Sequence, residues 1–149
     1  MIFGSQSEVD GFHIVNAHGG GVTVSNSESE TAVGTITHNY IAYNRIAADT
    51  LLSTGGAGVN VANGAEVVIA YNEILSNTVD REYSYGGGIR VVGSTVDIHE
   101  NVIAYNLSHE EAVGGGIDLY QANRPLSVAI ISTTTPSTAL AYTAQRPKS

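Results

Sequence analysis

The chain contains no cysteine, and only 13% of its 149 residues are charged. Without cysteine it has neither disulfides nor a thiol nucleophile, although this absence does not place it in the cytosol. The charged share is about half that of ordinary soluble proteins, and Gly, Asn, Ser and Thr take its place. This composition suits a turn-rich β protein better than a helical bundle.

Basic residues are also scarce, with 6 Lys and Arg against 14 Asp and Glu, a formal net charge of −8. Nucleic acid is excluded as a partner, because phosphate binding needs clustered Lys and Arg. A polyanionic glycan would be repelled at long range unless a local basic groove attracted it. No run approaches the ~20 apolar residues that span a bilayer.

The N-terminal residues MIFGSQSEVDGF have neither the basic start nor the apolar run of a signal peptide. If the protein is exported, we expect its signal to lie upstream of this chain. The expected location is extracellular or at the cell surface.

Three segments align without gaps, and each reads I-x-x-N-x-I-x-x-N. They are ITHNYIAYN (36–44), IAYNEILSN (69–77) and IHENVIAYN (98–106), with starts 33 and 29 residues apart. Their positions hold six of the eleven asparagines. A period of about 30 residues is typical of solenoids.

A second element alternates with the first and consists of small residues followed by a strand pattern. It reads GGGVTV from Gly19, GAGVNV from Gly56, GGGIRV from Gly86 and GGGIDL from Gly114. Two apolar residues flank one variable residue, the period-2 pattern of a half-buried strand. Thr23, Asn60, Arg90 and Asp118 are therefore predicted to face outward.

The repeat predicts an all-β parallel β-helix of about four coils, each with three short strands. Such strands bury their apolar side chains only by stacking coil on coil at ~4.8 Å. We expect a partial coil over 9–24, coils over about 33–61, 65–91 and 94–119, and a last strand over 127–132. Two isoleucine columns are predicted inside: Ile36, Ile69 and Ile98, and Ile41, Ile74 and Ile103.

The asparagines predict two ladders at turns, because Asn tolerates left-handed backbone and its amide can bond to the copy in the next coil. The predicted ladders are Asn39–Asn72–Asn101 and Asn44–Asn77–Asn106.

The loops 46–55, 78–86 and 107–114 vary most and share one corner, where we expect any function to reside. Residues 133–149 are rich in Thr and low in charge, which predicts a tail or linker. Solenoids need caps, and none is evident. We therefore expect a fragment of a longer helix.

The DGFHI start, the paired I-x-x-N steps and the GGGI-x-V strands resemble the right-handed parallel β-helix proteins of the pectin-lyase-like superfamily, over roughly residues 9–132. The superfamily includes polysaccharide lyases and hydrolases, uronan epimerases, copper-associated factors and large adhesins. In the enzymes, substrate lies beside one parallel sheet. Lyases use a calcium-binding Asp cluster with a catalytic Arg or Lys, so the resemblance implies calcium only if this chain is a lyase relative. No enzyme motif of the superfamily matches, and catalytic residues stay unassigned.

Arg90 and Asp118 occupy equivalent positions on successive coils, which predicts Cα atoms about 5 Å apart. They form either a surface ion pair worth under ~1 kcal/mol or a substrate contact. Asn60 belongs to the same column, and Tyr83 and Tyr85 lie in a variable loop at its border. These five residues are the candidate substrate-binding set.

Asp97, His99 and Glu100, with His109, Glu110 and Glu111 nearby, are the densest group of possible metal ligands. The alternative is a solvated acidic surface, since no recognised metal spacing is present. No other cofactor is expected.

Tyrosines could bind sugars by stacking or could simply cover turns beside the asparagines. The candidates are Tyr43, Tyr71, Tyr83, Tyr85, Tyr105 and Tyr120. Tyr43 and Tyr105 occupy equivalent positions with Ser76 between them.

Two functions remain open. The first is a non-catalytic surface segment, adhesin-like or glycan-binding, with a polysaccharide or cell-surface glycan as partner. The second is part of a polysaccharide-active enzyme whose catalytic coils lie elsewhere or are divergent.

The coil register makes a direct prediction. Replacing Ile74 by Asp should prevent folding, because it places an unpaired charge in a buried isoleucine column. Circular dichroism and thermal unfolding of the variant measure this. A variant that melts like the parent would contradict the register.

Overall fold

The computed structural model describes residues 6–27, 30–48, 55–109 and 114–122, and the backbone of two further strands at 130–131 and 140–143. These residues form strands and turns. No helix long and apolar enough to cross a membrane occurs among them.

The strands form four parallel sheets, and each complete coil contributes one strand to each sheet. Sheet I contains β1 (Ser7–Asp10), β4 (Val33–Thr37), β8 (Glu66–Ala70) and β12 (Thr95–His99). Sheet II contains β2 (His13–Val15), β5 (Tyr40–Ala42), β9 (Glu73–Leu75), β13 (Asn101–Ala104) and β16 (Ile130–Ile131). Sheet III contains β6 (Arg45–Ile46), β10 (Thr78–Val79) and β14 (Leu107–Ser108). Sheet IV contains β3 (Val22–Ser25), β7 (Val59–Ala62), β11 (Ile89–Val92), β15 (Ile117–Tyr120) and β17 (Leu140–Thr143).

The register confirms the predicted fold class, an all-β parallel solenoid of about four turns. Ile69 pairs with Ile36 on one side and with Ile98 on the other. In sheet II, Ile74 pairs in the same way with Ile41 and Ile103. All six isoleucines are buried, and together with the valines of sheet IV they form one continuous core.

The prediction of three strands per coil was wrong, because sheet III adds a fourth. Its two-residue strands begin immediately after Asn44, Asn77 and Asn106 and occupy the first residues of the predicted loops. Ile46 and Val79 turn inward there and form a small second core with Ala57. Strands this short show no alternation that a sequence pattern can detect.

The end of the chain also differs from the prediction. Within the predicted tail 133–149, strand β17 pairs with β15, with Leu140 opposite Ile117 and Tyr142 opposite Leu119. Strand β16 falls within the expected last strand at 127–132 and pairs with β13. The alternation LAYT was overlooked because no glycine run precedes it.

At both predicted turns, the left-handed residue is the one before the asparagine and not the asparagine itself. The residues with φ between 53° and 58° at these corners are His38, Tyr43, Tyr71, Ser76, Glu100 and Tyr105. This conformation turns the chain so that the asparagine points inward and the preceding side chain points out.

The inward asparagines bond up and down the stack. Nδ2 of Asn72 donates to the carbonyl of Ile36 at 2.8 Å and to Oδ1 of Asn101 at 2.9 Å. Oδ1 of Asn72 accepts both the backbone N–H and the Nδ2 of Asn39, each at 3.0 Å. Each amide thus satisfies buried backbone groups of the adjacent coil, which would otherwise cost free energy.

The second ladder repeats this arrangement. Nδ2 of Asn44 donates to Oδ1 of Asn77 at 2.9 Å, and Nδ2 of Asn77 donates to Oδ1 of Asn106 at 2.9 Å. In the first coil Phe12 and Ala17 stand at the two ladder positions. Their backbone N–H groups donate to Asn39 and Asn44, at 2.9 and 3.0 Å.

The third position of the first three glycine runs lies against the second ladder. A Cβ on Gly58 would lie 3.0 Å from Nδ2 of Asn77 and 2.5 Å from the carbonyl oxygen of Gly88. A Cβ on Gly88 would meet Nδ2 of Asn106 at 2.9 Å. The glycine run and the asparagine of the second ladder therefore pack directly against each other.

Replacing Asn72 by Ala should lower the free energy of unfolding by about 1–3 kcal/mol, because buried partners in both adjacent coils lose their bonds. Urea unfolding measures the change. Asn60→Ala, on the outer surface of sheet IV, is the matched control and should shift stability by less than ~0.5 kcal/mol. Equal effects of the two substitutions would contradict the ladder's role.

Candidate functional site

The predicted substrate-binding residues meet on the outer surface of sheet IV. Arg90 pairs in register with Asn60 on one side and with Asp118 on the other. Arg90 Nε lies 3.6 Å from Asp118 Oδ2, and the guanidinium lies 5.2 Å from the centre of the Tyr85 ring. The structure therefore brings four of the five residues together. Asn60, Arg90 and Asp118 form one column across sheet IV, and the Tyr85 ring lies beside it.

The ion pair is more enclosed than the predicted surface pair. Only 17% of the Arg90 side chain and 6% of the Asp118 side chain are exposed. The Tyr85 ring covers Arg90, and β17 runs beside Asp118. The predicted ion pair is present but is not on an open surface, since its cover comes from a loop and from a neighbouring coil.

Burial dominates the electrostatics of this pair. It raises the pKa of the Asp118 carboxyl, and the Arg90 charge only partly offsets this. Burial likewise lowers the pKa of Arg90, against the opposing effects of Asp118 and Tyr85. The cost of desolvation thus exceeds the mutual attraction, which is common for enclosed ion pairs. We interpret the pair as packing that holds the loop against sheet IV.

Tyr83 is the exposed member of the predicted set. Its side chain is 68% exposed, and its φ of 55° projects it from the loop between β10 and β11. It could stack on a sugar, but among the described residues it makes no ring contact.

The predicted metal ligands do not converge. Asp97 and His99 lie on the outer surface of β12, and His99 Nδ1 lies 3.2 Å from Glu100 Oε2. Within the described residues, no three His, Asp or Glu side chains are grouped as metal ligands would be. Glu110 and Glu111 lie outside the described residues.

Glu100 belongs instead to a row of rings at the corner between sheets I and II. His38 stacks on Tyr71 with ring centres 5.3 Å apart, and Tyr71 meets the edge of His99 at 5.6 Å. Hydrogen bonds from Tyr71 and then from His99 hold the pKa of the Glu100 carboxyl below its ordinary value.

Asp10 ends this row on the first coil. Its Oδ1 lies 2.8 Å from His38 Nδ1 and accepts from Thr37 Oγ1 at 2.8 Å. These bonds hold the pKa of the Asp10 carboxyl below its ordinary value. Sequence reasoning missed the row, although the residue preceding each asparagine of the first ladder is readable from the repeat.

At the corner between sheets II and III, two tyrosines stand apart with a small residue between them. Tyr43 is 57% exposed and Tyr105 is 54% exposed, and both have a φ of 58°. Ser76 occupies the same corner in the coil between them, with a φ of 54°. Two coil spacings place the tyrosine backbones about 10 Å apart. We call this gap the tyrosine slot.

Tyr40 lies beside the tyrosine slot, three residues before Tyr43. A hydrogen bond with Tyr43 raises the pKa of the Tyr40 hydroxyl, and Tyr40 lies on sheet II with its ring 5.3 Å from that of His13. Tyr43 and Tyr105 are thus two exposed tyrosines at equivalent positions two coils apart, with Ser76 at the position between them.

Replacing Arg90 by Met should lower the free energy of unfolding by about 3 kcal/mol, because the Asp118 charge stays buried beside an apolar neighbour. The folded pKa of Asp118 rises further, so the loss should be present at neutral pH, shrink as the pH falls through that raised pKa, and be gone below about pH 4. Adding Asp118→Leu should recover most of it. Urea unfolding of both variants tests this, and a double variant as unstable as the single one would contradict it.

Comparison with known proteins agrees with this architecture. A family model described as a right handed beta helix region matches residues 1–134. No curated protein and no solved structure matches the chain. The match is consistent with the resemblance to the pectin-lyase-like superfamily and covers most of the chain, so this chain belongs to the right-handed beta helix family.

Proposed function

We propose that this chain is a non-catalytic, glycan-binding segment of an exported or cell-surface β-helix protein. The observation that carries the proposal is the tyrosine slot, in which Tyr43 and Tyr105 share one backbone conformation in coils two apart. The regular repeat and the low charge of the chain support the role of an extended surface protein.

The slot suits a sugar for three physical reasons. Tyrosine rings offer apolar surfaces to sugar C–H groups, and their hydroxyls bond to sugar hydroxyls. Rings held by a stacked solenoid lose little conformational entropy when a ligand binds. Serine between them leaves the space open and adds a hydroxyl that can donate and accept.

Sheet IV supports the alternative of a polysaccharide-active enzyme less well. The column of Asn60, Arg90 and Asp118 offers polar groups beside Tyr85. Its two charged members are mostly enclosed, whereas a substrate needs them accessible.

The test is binding of a panel of neutral and acidic oligosaccharides, measured by isothermal titration calorimetry. Tyr43→Asn and Tyr105→Asn each remove a ring while keeping a residue that tolerates left-handed backbone, as Asn16 does in the first coil at φ 59°. Each should weaken binding about 3-fold to 10-fold. Ser76→Tyr fills the slot and should abolish binding without loss of stability.

Tyr83→Asn is the matched control, since it removes an exposed tyrosine of the same conformation at a different corner. It should leave affinity unchanged. Loss of binding in Tyr83→Asn alone would move the site to sheet IV and contradict the slot. Release of unsaturated product from an acidic glycan, with or without calcium, would contradict the non-catalytic proposal.

A further inference from the structure

Among the described residues, arginine is confined to one part of the solenoid, where Asp80, Glu82 and Asp118 accompany it. Sheets I and II and the corner between them carry six exposed carboxylates, and we call this surface the acidic face. Its carboxylates belong to Glu8, Asp10, Glu66, Glu73, Asp97 and Glu100. The three arginines of the described residues, Arg45, Arg81 and Arg90, lie on sheets III and IV or the loop joining them.

The carboxylates of the acidic face are spread along the stack. Asp10 and Glu100 end the ring row three coils apart, about 14 Å at ~4.8 Å per coil, with the rings of His38, Tyr71 and His99 between them. Glu73 lies between the two corners on sheet II, opposite Tyr40 in the neighbouring coil. Because no three ligand groups converge among the described residues, this spacing suits an extended cation better than a single metal ion.

The acidic face adjoins the tyrosine slot. Tyr43 follows β5 of sheet II directly, and Tyr40 begins the same strand. A chain with one sugar in the slot can therefore continue across sheet II toward Glu73 and the ring row.

We propose that the glycan bound here carries free amino groups, as a deacetylated amino-sugar polymer does. This inference rests on the proposed glycan-binding function and names its ligand class. Ammonium groups pair with the spaced carboxylates, while a pyranose ring occupies the slot. A polyuronate would meet six carboxylates on this face and is disfavoured.

The acidic face keeps a negative net charge at mildly acidic pH, where sugar amines are protonated. The titratable groups on it are the six carboxylates, the histidines at 13, 38 and 99, and the tyrosines. The six carboxylates outnumber the three imidazoles two to one. Asp10 and Glu100, whose pKa values are lowered, stay ionised there.

The experiment compares three probes at about pH 5.5, below the ordinary pKa of His and above those of Asp and Glu. The probes are a fully deacetylated glucosamine hexamer, its N-acetylated counterpart and a galacturonate hexamer, titrated calorimetrically against the whole chain. The deacetylated hexamer should bind at least about 5-fold more tightly than the N-acetylated one, and added salt should reduce that difference.

Two substitutions locate the contact. The double variant Glu73→Gln/Asp97→Asn lacks two exposed carboxylates of the acidic face. Its preference for the deacetylated hexamer should be about 5-fold smaller. Affinity for the N-acetylated hexamer should not change. Glu82→Gln is the matched control, because Glu82 is exposed on the loop between β10 and β11, away from the acidic face.

Equal or weaker binding of the deacetylated hexamer would overturn this inference. If in that case the N-acetylated hexamer still bound in a Tyr43-dependent manner, the proposed glycan-binding function would stand and only the preference for free amino groups would fail. Binding of none of the hexamers would overturn both. A lysine-rich peptide that bound more tightly than every hexamer would also overturn the glycan assignment, since the face would then suit a basic protein.

Discussion

Each of the three repeats turns twice around the side-chain amide of an asparagine, and the rest of the structure depends on these buried groups. An amide inside a protein must find partners for its two donors and its carbonyl. Asn72 and Asn77 find them in the coils before and after, at 2.8–3.0 Å for Asn72. This requirement holds neighbouring coils in one register, because a slip of one residue would leave buried groups unbonded and turn the isoleucine columns outward.

The buried amides also determine what the outer surface presents. To point the asparagine inward, the preceding residue takes a left-handed conformation and projects outward. The side chains of His38, Tyr71 and Glu100 thereby lie in a row at one corner, and those of Tyr43 and Tyr105 project at the next. Both the ring row and the tyrosine slot follow from this local geometry.

Much of this followed from the repeat, because the I-x-x-N spacing determines which side chains are equivalent in successive coils. The isoleucine columns are the clearest case. Sheet III could not be predicted, since strands such as Arg45–Ile46 are too short to alternate. The enclosure of Asp118 depends on a loop and a later strand that no local pattern specifies. The tyrosine slot could be predicted only in part. The repeat shows that Tyr43 and Tyr105 occupy equivalent positions, but not that their side chains are exposed.

Hydrogen exchange of individual amides tests the ladder most directly. The backbone N–H groups of Asn72 and Asn77 donate to side-chain oxygens of Asn101 and Asn106 at 2.9 Å. If the ladder holds the coils together, these two amides exchange only through global unfolding, as slowly as the best protected amides of sheet II. Fast exchange at Asn72 and Asn77, with sheet II still protected, would contradict the account.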